Sequence, residues 1–517
     1  MKRHLIVICF AGLLHGCAAA LNPSKSDSSA PAPDFMPQLL EIARRVLAQP
    51  YVAPDETLPP EVSKLNYDQH RAFAFNEDKA LWRKTDLPFE LQFYPRGWLF
   101  KREVELNLIR RDGVLEPLRF SPDQFTHMHD KNLRLPQGLG YAGWRALAFL
   151  NPVGRRDEMI ALLGASYYRA LGSNQVYGSS ARGLAIDVAT DHEEFPMNRR
   201  FWIRQSTAGD KALVFYTLLD SPSVVGAYRY SVESGADTVV TIDATLLARK
   251  DVAKLCVAPI TSMFLYGKRS DRVFPDFRPE IHDADVLLIH DAAGKDKWTA
   301  RPLNNPRQPR TIDHPVQSLR GFGLLQRERD FHCYQDLEAA YDRRPSAWVE
   351  PIGDWGSGHI ELFELSSDLE YNDNINAYFI PAEPMKAGQS RSFRYRLHWL
   401  AGDPPKLELA RVVGAWRQPM KESADGREGK WLPAVRYLID FAGPELAKMT
   451  PVKPPQLWID AGKAKVLGAR AEPNPHTGGW RLVFEVDPLD QMTVDLRAGF
   501  AWNDAPLSET WTERWSR

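Results

Sequence analysis

Carboxylate side chains set among aromatic rings are the residues of this 517-residue chain best suited to chemistry. Residues 321–374 concentrate acids, arginines, tryptophans and tyrosines, and apolar strand material appears there only in short pieces. Sugars stack their C–H faces on aromatic rings and hydrogen-bond to charged side chains through their hydroxyls, so this composition fits a sugar-binding cleft. It fits equally well a solvated loop region that contains a few structural tryptophans.

Cleavage of a glycosidic bond requires two carboxyl groups, one to protonate the leaving oxygen and one to activate water or attack the anomeric carbon. Five acids stand in unusual local contexts, namely Glu280, Asp283, Asp342, Asp354 and Asp373. Asp342 precedes two arginines and fits an ion pair, whereas Asp354 lies in a glycine-flanked turn. Asp373 stands between two asparagines with no adjacent cation, which suits a general acid with a raised pKa but also an Asx turn. The residues alone leave the pair open.

Other chemistries lack their usual motifs. The sequence contains no GxSxG nucleophile elbow, no Walker A or GxGxxG loop, and no CxxC or HExxH spacing. Basic and acidic residues balance at 65 and 66, so nothing steers the chain toward nucleic acid. No metal, no other cofactor and no nucleic-acid partner is therefore expected.

The N-terminus predicts export to the periplasm. A basic start (Met1–His4) precedes an apolar run too short to span a bilayer, which together indicate a signal sequence over residues 1–20. Two cleavage sites compete: a lipobox that would leave a lipidated Cys17, and a small-residue site at Ala18–Ala20. Residues 21–33 are a Ser/Pro/Ala tether. A lipid on Cys17 would be the only membrane attachment.

Two cysteines lie beyond the signal region, at Cys256 and Cys333. They could pair in an oxidising compartment, but two cysteines do not make a disulfide scaffold. Burial as small apolar residues is the simpler role.

Periodicity predicts a mainly β fold. Apolar residues at helical spacing predict a helix from Asp34 to about Ala48, and a second helix is expected from Asp157 to about Ala170. Most other regular segments alternate apolar and polar residues, which indicates antiparallel strands with one buried face. These segments are 90–93, 104–108, 228–233, 393–399, 435–441, 480–486 and 492–498.

A Gly/Asp/Pro-rich stretch at 401–408 predicts a linker. Before it, residues 34–400 are expected to form one large β-sandwich domain. After it, residues 409–517 carry alternating strands separated by turns, which fits an immunoglobulin-like sandwich.

The sequence resembles the OpgG/OpgD (MdoG/MdoD) family of periplasmic glucan biosynthesis proteins. The resemblance is collinear from about Leu65 to Trp515. It is carried by many blocks in one order, including LGASYYRALGSNQVYGSSARGLAID (163–187), EEFP (193–196), APITSMFLYG (258–267), FRPEIHDAD (277–285), GFGLLQR (321–327), YDRRPSAWVEP (341–351), DNI (373–375) and LSETW (507–511).

The resemblance implies a large N-terminal supersandwich of the galactose-mutarotase-like kind, an Ig-like C-terminal sandwich, and a part in making glucans with a β-1,2-linked backbone. Some members resemble inverting endo-β-1,2-glucanases of glycoside hydrolase family 186. In those enzymes the general acid corresponds to Asp373 and the general base to Asp283. The tyrosine that joins the base to the nucleophilic water corresponds to Tyr341.

The family pattern also leaves questions open. Members commonly carry Glu-Thr shortly before the acid, and this chain has Glu370-Tyr371, so the resemblance implies a changed proton route or a more crowded nearest subsite in this member. A transglycosylase or cyclising enzyme and a non-catalytic glucan-binding scaffold for a membrane glucan synthase are the alternatives to a hydrolase. The expected sugar contacts are Gln326, Arg327, Arg344, Trp348, Tyr177 and Tyr371, although a buried Trp or an ion-paired Arg needs no ligand.

Overall fold

The structure is a computed structural model that describes residues 34–130, 132–151, 154–270, 272–293, 297–421 and 431–517. The predicted signal sequence, both cleavage sites and the tether lie outside the described residues. Among the residues that are described, no helix is long and apolar enough to cross a membrane.

Helices are few and short. The bounds are α1 (Met36–Leu47), α2 (Pro60–Ser63), α3 (Tyr67–Arg71) and α4 (Pro444–Ala447), with 3-10 turns at Glu77–Lys79, Pro122–Gln124, Phe331–Cys333 and Tyr341–Arg343. The predicted N-terminal helix is confirmed as α1. The Asp34 carboxylate accepts hydrogen bonds from the Met36 N–H at 3.3 Å and the Tyr216 hydroxyl at 2.7 Å, which ties the start of this helix to the sheet beneath it.

The strands of the large N-terminal block are the following. The first group is β1 (Phe73–Phe75), β2 (Glu90–Pro95), β3 (Glu105–Ile109), β4 (Leu115–Pro117), β5 (Phe125–His127), β6 (Tyr141–Ala148), β7 (Asp157–Leu163), β8 (Tyr167–Ala170), β9 (Ser180–Arg182), β10 (Leu184–Ile186), β11 (Met197–Arg204), β12 (Ala212–Asp220) and β13 (Val224–Glu233). The second group is β14 (Thr238–Ala248), β15 (Leu255–Ser262), β16 (Phe264–Tyr266), β17 (Ile281–His282), β18 (Val286–Asp291), β19 (Lys297–Pro302), β20 (Arg310–Val316), β21 (Leu319–Leu325), β22 (Ser346–Pro351), β23 (Gly358–Glu364), β24 (Ile375–Pro381) and β25 (Ser390–Leu400).

The prediction of a helix over 157–170 is wrong. These residues form the antiparallel strands β7 and β8, paired at Ile160 with Ala170 and at Leu162 with Tyr168. The apolar residues Met159, Ile160 and Leu162 fit a helical stripe as well as a strand, and β7 lies inside a sheet between β6 and β8, so tertiary pairing decides.

Two large sheets form the body of the molecule, which confirms the prediction of a mainly β sandwich. One runs in the order β2-β6-β7-β8-β9-β15-β24-β23-β20. The other includes β19-β18-β21-β22-β25-β14-β13-β12-β11-β3-β4. Their facing side chains share one apolar core, in which Trp144 of β6 meets Phe215 of β12 edge-on at 4.9 Å between ring centroids. Helix α1 covers the opposite face of the second sheet at Trp202, Tyr216 and Val225.

The C-terminal strands are β26 (Arg411–Lys421), β27 (Trp431–Ala442), β28 (Gln456–Asp460), β29 (Lys465–Asn474), β30 (Gly479–Asp487), β31 (Thr493–Trp502), β32 (Ala505–Pro506) and β33 (Thr510–Ser516). One sheet runs β26-β27-β30-β29, and it packs against β28, β31 and β33 around Tyr437, Phe484 and Trp511. Strand β33 also pairs in parallel with β19, so part of this sandwich continues the larger second sheet. The division into separate domains with a linker at 401–408 stays a prediction.

Candidate active site

The loop between β23 and β24 carries Asp373 and is held in place by the next residue, Asn374. The buried Asn374 amide accepts a hydrogen bond from the Phe264 N–H at 2.8 Å. It donates to the carbonyl oxygens of Phe264 and Leu365, each at 3.0 Å. All three bonds go to backbone groups, so the amide fixes where β24 begins relative to β16 and β23. This anchoring positions the Asp373 carboxylate beside β8 and β9.

Asp373 is a carboxylic acid with weak polar support. Its side chain is 29% exposed. The Ser180 hydroxyl on β9 donates to Oδ2 at 3.4 Å, and the Arg169 Nη2 on β8 lies 3.6 Å from the same oxygen. Burial raises the pKa of Asp373, and the negative charge of Asp283 raises it further, whereas Arg169 opposes both effects. The group is therefore suited to carry a proton.

Asp283 follows β17 and is nearly buried, with 6% of its side chain exposed. Its backbone N–H donates to the Met263 carbonyl at 2.8 Å, and its Oδ1 accepts a direct hydrogen bond from Arg344 Nη1. Burial raises the pKa of Asp283, and the charge and hydrogen bond of Arg344 act in the opposite direction, followed by the charge of Arg169. Asp283 thus has a cation in direct contact.

Tyr341 lies in the 3-10 turn Tyr341–Arg343, which follows Ala340 at a left-handed φ of 45°. The Arg344 guanidinium sits over its ring at 4.0 Å from the centroid. Burial raises the pKa of the Tyr341 phenol, and the charges of Glu370 and Asp283 also raise it, while Arg344 opposes. Arg344 therefore contacts both the Tyr341 ring and the Asp283 carboxylate.

Gln326 joins β17, which directly precedes Asp283, to the turn that carries Tyr341. Its Nε2 donates to the carbonyl oxygens of His282 at 2.8 Å and Tyr341 at 3.1 Å. Its Oε1 lies 2.7 Å from His282 Nδ1. Because Gln326 is 1% exposed and its amide is occupied, it supports the site from behind. Its expected direct sugar contact stays a prediction without support from this geometry.

A groove of about 510 Å³ is lined in part by Arg169 and Ser180, the two residues that contact the Asp373 carboxylate. Its lining also includes the aromatic residues Tyr94, Phe100, Tyr167, Tyr168 and Tyr177. The Tyr177 hydroxyl donates to Glu158, which leaves its ring at the groove. This arrangement of rings beside a carboxyl group is the one expected of a sugar-binding site.

Other residues expected to touch sugar lie elsewhere. Arg327 donates through Nη1 at 2.8 Å and Nη2 at 2.5 Å to Glu509 in the C-terminal sandwich. Trp348 is buried on the second sheet, stacked at 5.7 Å on Trp298. Tyr371 is near the acid in sequence but is 78% exposed. The structure thus brings Asp373, Asp283, Tyr341, Arg344, Gln326 and Tyr177 to one region and not Arg327 or Trp348.

Sequence reasoning did not identify several residues of the site. Arg169 and Ser180 lie within residues 163–187, one of the blocks that carry the family resemblance, yet no local signal sets them apart from their neighbours. Asn374 follows the acid directly, and its role emerges only from contacts with β16 and β23. Arg278 was part of FRPEIHDAD, but two of its partners, Asp336 and Glu370, lie 58 and 92 residues further along the chain.

Two groups of potential metal ligands occur in the described parts of the chain, Glu280 with Glu328 and Cys333, and Asp313 with His359 and Glu361. A lysine ammonium already occupies each. Lys268 donates to Glu328 in the first, and Lys254 Nζ lies 2.6 Å from Glu361 in the second. Cys256 and Cys333 are both free thiols, so the alternative of a disulfide between them is not what the structure shows.

Comparison with known proteins places these observations in a family. The family described as "Periplasmic glucan biosynthesis protein, MdoG" matches residues 35–515. Glucans biosynthesis protein G of Bradyrhizobium diazoefficiens is 39% identical over 502 residues, which cover 96% of this chain and 97% of the relative. The protein of the same name from Ralstonia nicotianae is 40% identical over 478 residues, covering 91% and 94%.

Among solved structures, the glycoside hydrolase family 36 alpha-galactosidase AgaA of Geobacillus stearothermophilus shares 11% identity at a TM-score of 0.21. The match covers 54% of this chain and 32% of the alpha-galactosidase, and the likeness is too distant to bear on activity. The family match over nearly the whole length and the relatives near 40% identity decide the assignment. This chain is a member of the MdoG family of periplasmic glucan biosynthesis proteins.

Proposed function

We propose that the protein is a periplasmic hydrolase of β-1,2-linked glucan, with Asp373 as general acid and Asp283 as general base. The observation that carries the proposal is the different cationic support of Asp283 and Asp373, together with an aromatic groove lined by the Arg169 and Ser180 side chains that contact Asp373. The β-1,2 linkage comes from the family resemblance, because aromatic grooves bind many glucans.

The environments of the two aspartates support the proposed roles. Asp283 has Arg344 in direct hydrogen-bonded contact, whereas the nearest cation to Asp373 is Arg169 at 3.6 Å. When one proton is shared between two interacting carboxyl groups, the group with the stronger cationic partner ionises first. The charge on Asp283 then favours the proton staying on Asp373. Asp373 can protonate the leaving oxygen while Asp283 accepts a proton.

Burial of the base favours an inverting mechanism. Only 6% of the Asp283 side chain is exposed, so it is poorly placed to attack an anomeric carbon in the groove. A base that works at a distance needs a chain of hydrogen-bonding groups to the water that attacks. The family resemblance assigns Tyr341 to that chain, and Arg344, which lies over the Tyr341 ring, also binds Asp283. The high pKa of the Tyr341 phenol keeps its hydroxyl protonated, so it can donate one hydrogen bond and accept another.

The departure at Tyr371 does not fill the groove. Tyr371 is 78% exposed and is not among the residues that line the groove, so its phenol does not crowd the groove. We infer that the proton route of this member relies on Tyr341 and water.

The test is turnover of linear β-1,2-glucan, with β-1,3- and β-1,4-glucans in parallel, read by thin-layer chromatography and product mass. Asp373→Asn and Asp283→Asn should each lower kcat by at least about 100-fold, since general acid–base catalysis contributes roughly 10²- to 10⁴-fold. Asp354→Asn is the matched control, because Asp354 only accepts a hydrogen bond from the Gly356 N–H in an exposed turn. It should keep the wild-type rate.

The outcomes separate the competing functions. A product lighter than the linear chain by one water would indicate cyclisation. Calorimetric binding of the glucan without turnover would overturn the hydrolase proposal in favour of a scaffold for a membrane glucan synthase. Full activity of Asp373→Asn would refute the assigned acid while leaving the substrate class intact.

A further inference from the structure

Arg278 connects three separate loops. Its guanidinium binds Asp276 in its own loop through Nε at 3.0 Å and Nη2 at 2.8 Å. Nη1 donates to Asp336 at 2.9 Å, and Nη2 donates to Glu370 at 2.5 Å. The planar fork of arginine can serve several carboxylates at once, which a lysine ammonium on a flexible stem cannot do with fixed geometry. With 12% of the side chain exposed, Arg278 is committed to protein partners.

Each of the three loops continues into a residue of the proposed site. Residues 272–280 lead into β17 and Asp283, and Glu370 lies three residues before Asp373. Asp336 accepts the N–H groups of Glu338 and Ala339 at 2.9 and 2.8 Å and so shapes the turn before Tyr341.

The contacts form a continuous path from Arg278 to the base. Asp336 holds the Ala339 backbone, and the Ala339 carbonyl accepts hydrogen bonds from Arg344 Nε and Nη2, each at 3.2 Å. Arg344 in turn binds Asp283. The loop tips themselves have little apolar anchorage, because Phe277, Leu337 and Tyr371 are 76%, 89% and 78% exposed. Polar contacts to Arg278 therefore carry much of the task of holding the tips together.

We propose that Arg278 is a positioning residue, which keeps the acid, the base and Tyr341 in register by fastening the three loops that carry them. The inference rests on the proposed hydrolase function. Without the guanidinium, Asp276, Asp336 and Glu370 would be three neighbouring carboxylates with no shared cation, and mutual repulsion would separate the loops.

The test compares Arg278→Met and Arg278→Lys with wild type by glucan turnover and by hydrogen–deuterium exchange. Arg278→Met should lower kcat about 100-fold, since misplacement of catalytic groups by about 1 Å costs that much, and change KM less than about threefold. Arg278→Lys should be intermediate, because it keeps the charge and loses the fork. Amides in 330–341 and 365–374 should exchange faster in Arg278→Met, while those of β27 and β30 should not change.

Arg481→Met is the matched control, because Arg481 makes a comparable two-point contact with Asp440 in the C-terminal sheet, at 2.7 and 2.8 Å. It should leave kcat and loop exchange at wild-type values. Wild-type kcat in Arg278→Met would overturn the inference, as would unchanged exchange in both loops. If the wild-type protein itself lacks turnover, the proposed function fails, and the exchange data still decide whether Arg278 fastens the loops.

Discussion

At the scale of single residues, Arg169 acts on both carboxyl groups of the proposed pair. Its guanidinium lies 3.6 Å from Asp373, and its charge lowers the pKa of Asp373 and of Asp283 alike. A shared cation keeps the two pKa values from rising together out of the working range. Arg169 is therefore expected to set the position of the pH optimum more than the height of the rate.

We predict that Arg169→Met moves the pH–rate profile of kcat/KM to higher pH. In the proposed mechanism, turnover needs Asp373 protonated and Asp283 ionised. The alkaline limb of the profile therefore follows the pKa of Asp373, and the acid limb follows the pKa of Asp283. Loss of the cation raises both pKa values, and the acid limb should move less because Arg344 still binds Asp283. Peak kcat/KM should fall by no more than about tenfold, since the acid and base that supply roughly 10²- to 10⁴-fold remain.

The control for this shift is Arg394→Met, since Arg394 on β25 pairs with Asp243 at 2.7 Å and lies outside the site. Its profile should coincide with that of wild type. A profile of Arg169→Met that stays in place, or moves to lower pH, would contradict the assigned roles.

At the scale of elements, the proposed acid Asp373 depends on the Asn374 amide, which joins β16, β23 and β24. Asn374 uses both its acceptor and its donors on backbone groups, as buried polar side chains must. The nearly isosteric change to aspartate keeps the acceptor but replaces the donors with an oxygen that faces two carbonyl groups. Such a change leaves buried acceptors unpaired at a cost of about 1–3 kcal/mol each.

We therefore predict that Asn374→Asp lowers kcat by about 10- to 100-fold through displacement of the Asp373 loop, with a smaller change in KM. Asn376→Asp is the matched control on the same strand. Its Oδ1 accepts the Thr261 hydroxyl at 3.2 Å, and an aspartate there keeps that acceptor while adding the same charge. Steady-state kinetics on both variants distinguish the effect of lost loop anchoring from the effect of the added negative charge. Equal loss in both would show that charge, not anchoring, is responsible.

At the scale of the whole molecule, the sequence predicted what is local and missed what is distant. Alternation along 228–233 and 393–399 identified β13 and β25, because each has one buried face. The same reasoning failed over 157–170, because the unbroken apolar run at 159–163 in β7 does not alternate and fits a helix as well as a strand. Trp348 and Arg327 had suitable chemistry for sugar contact, yet nothing local says on which sheet or face a side chain will lie.

The site itself illustrates the same limit. Asp283 and Asp373 are 90 residues apart, so only the resemblance to the family joined them before the fold was known. Their supporting residues come from β8, β9 and two further loops, through contacts that no spacing rule encodes. Chemistry was readable in the residue types, whereas its arrangement depended on long-range strand pairing.

The C-terminal sandwich is joined to the body by a buried ion pair as well as by β33. Arg327 binds Glu509, whose side chain is fully buried and which also accepts the Val412 N–H at 2.9 Å. Arg327 also donates a hydrogen bond through Nε to Asp403 in the connecting segment at 3.2 Å. Removing one partner of such a pair leaves the other charge unpaired and away from water, which costs about 3–5 kcal/mol of stability. This cost is far larger than the stability that the pair contributes relative to neutral groups.

We predict that Arg327→Met lowers the free energy of unfolding by about 3 kcal/mol, measured by urea denaturation with tryptophan fluorescence and circular dichroism. Arg327→Met combined with Glu509→Gln should recover part of the loss, because the glutamine keeps an acceptor for Val412 without the charge. Arg514→Met removes the more exposed pair with Asp495 and should cost less than about 1 kcal/mol.

Because β33 pairs with β19, both probes should report one transition in wild type. Two separate transitions would mean that the sandwiches fold independently and that Arg327 does not couple them.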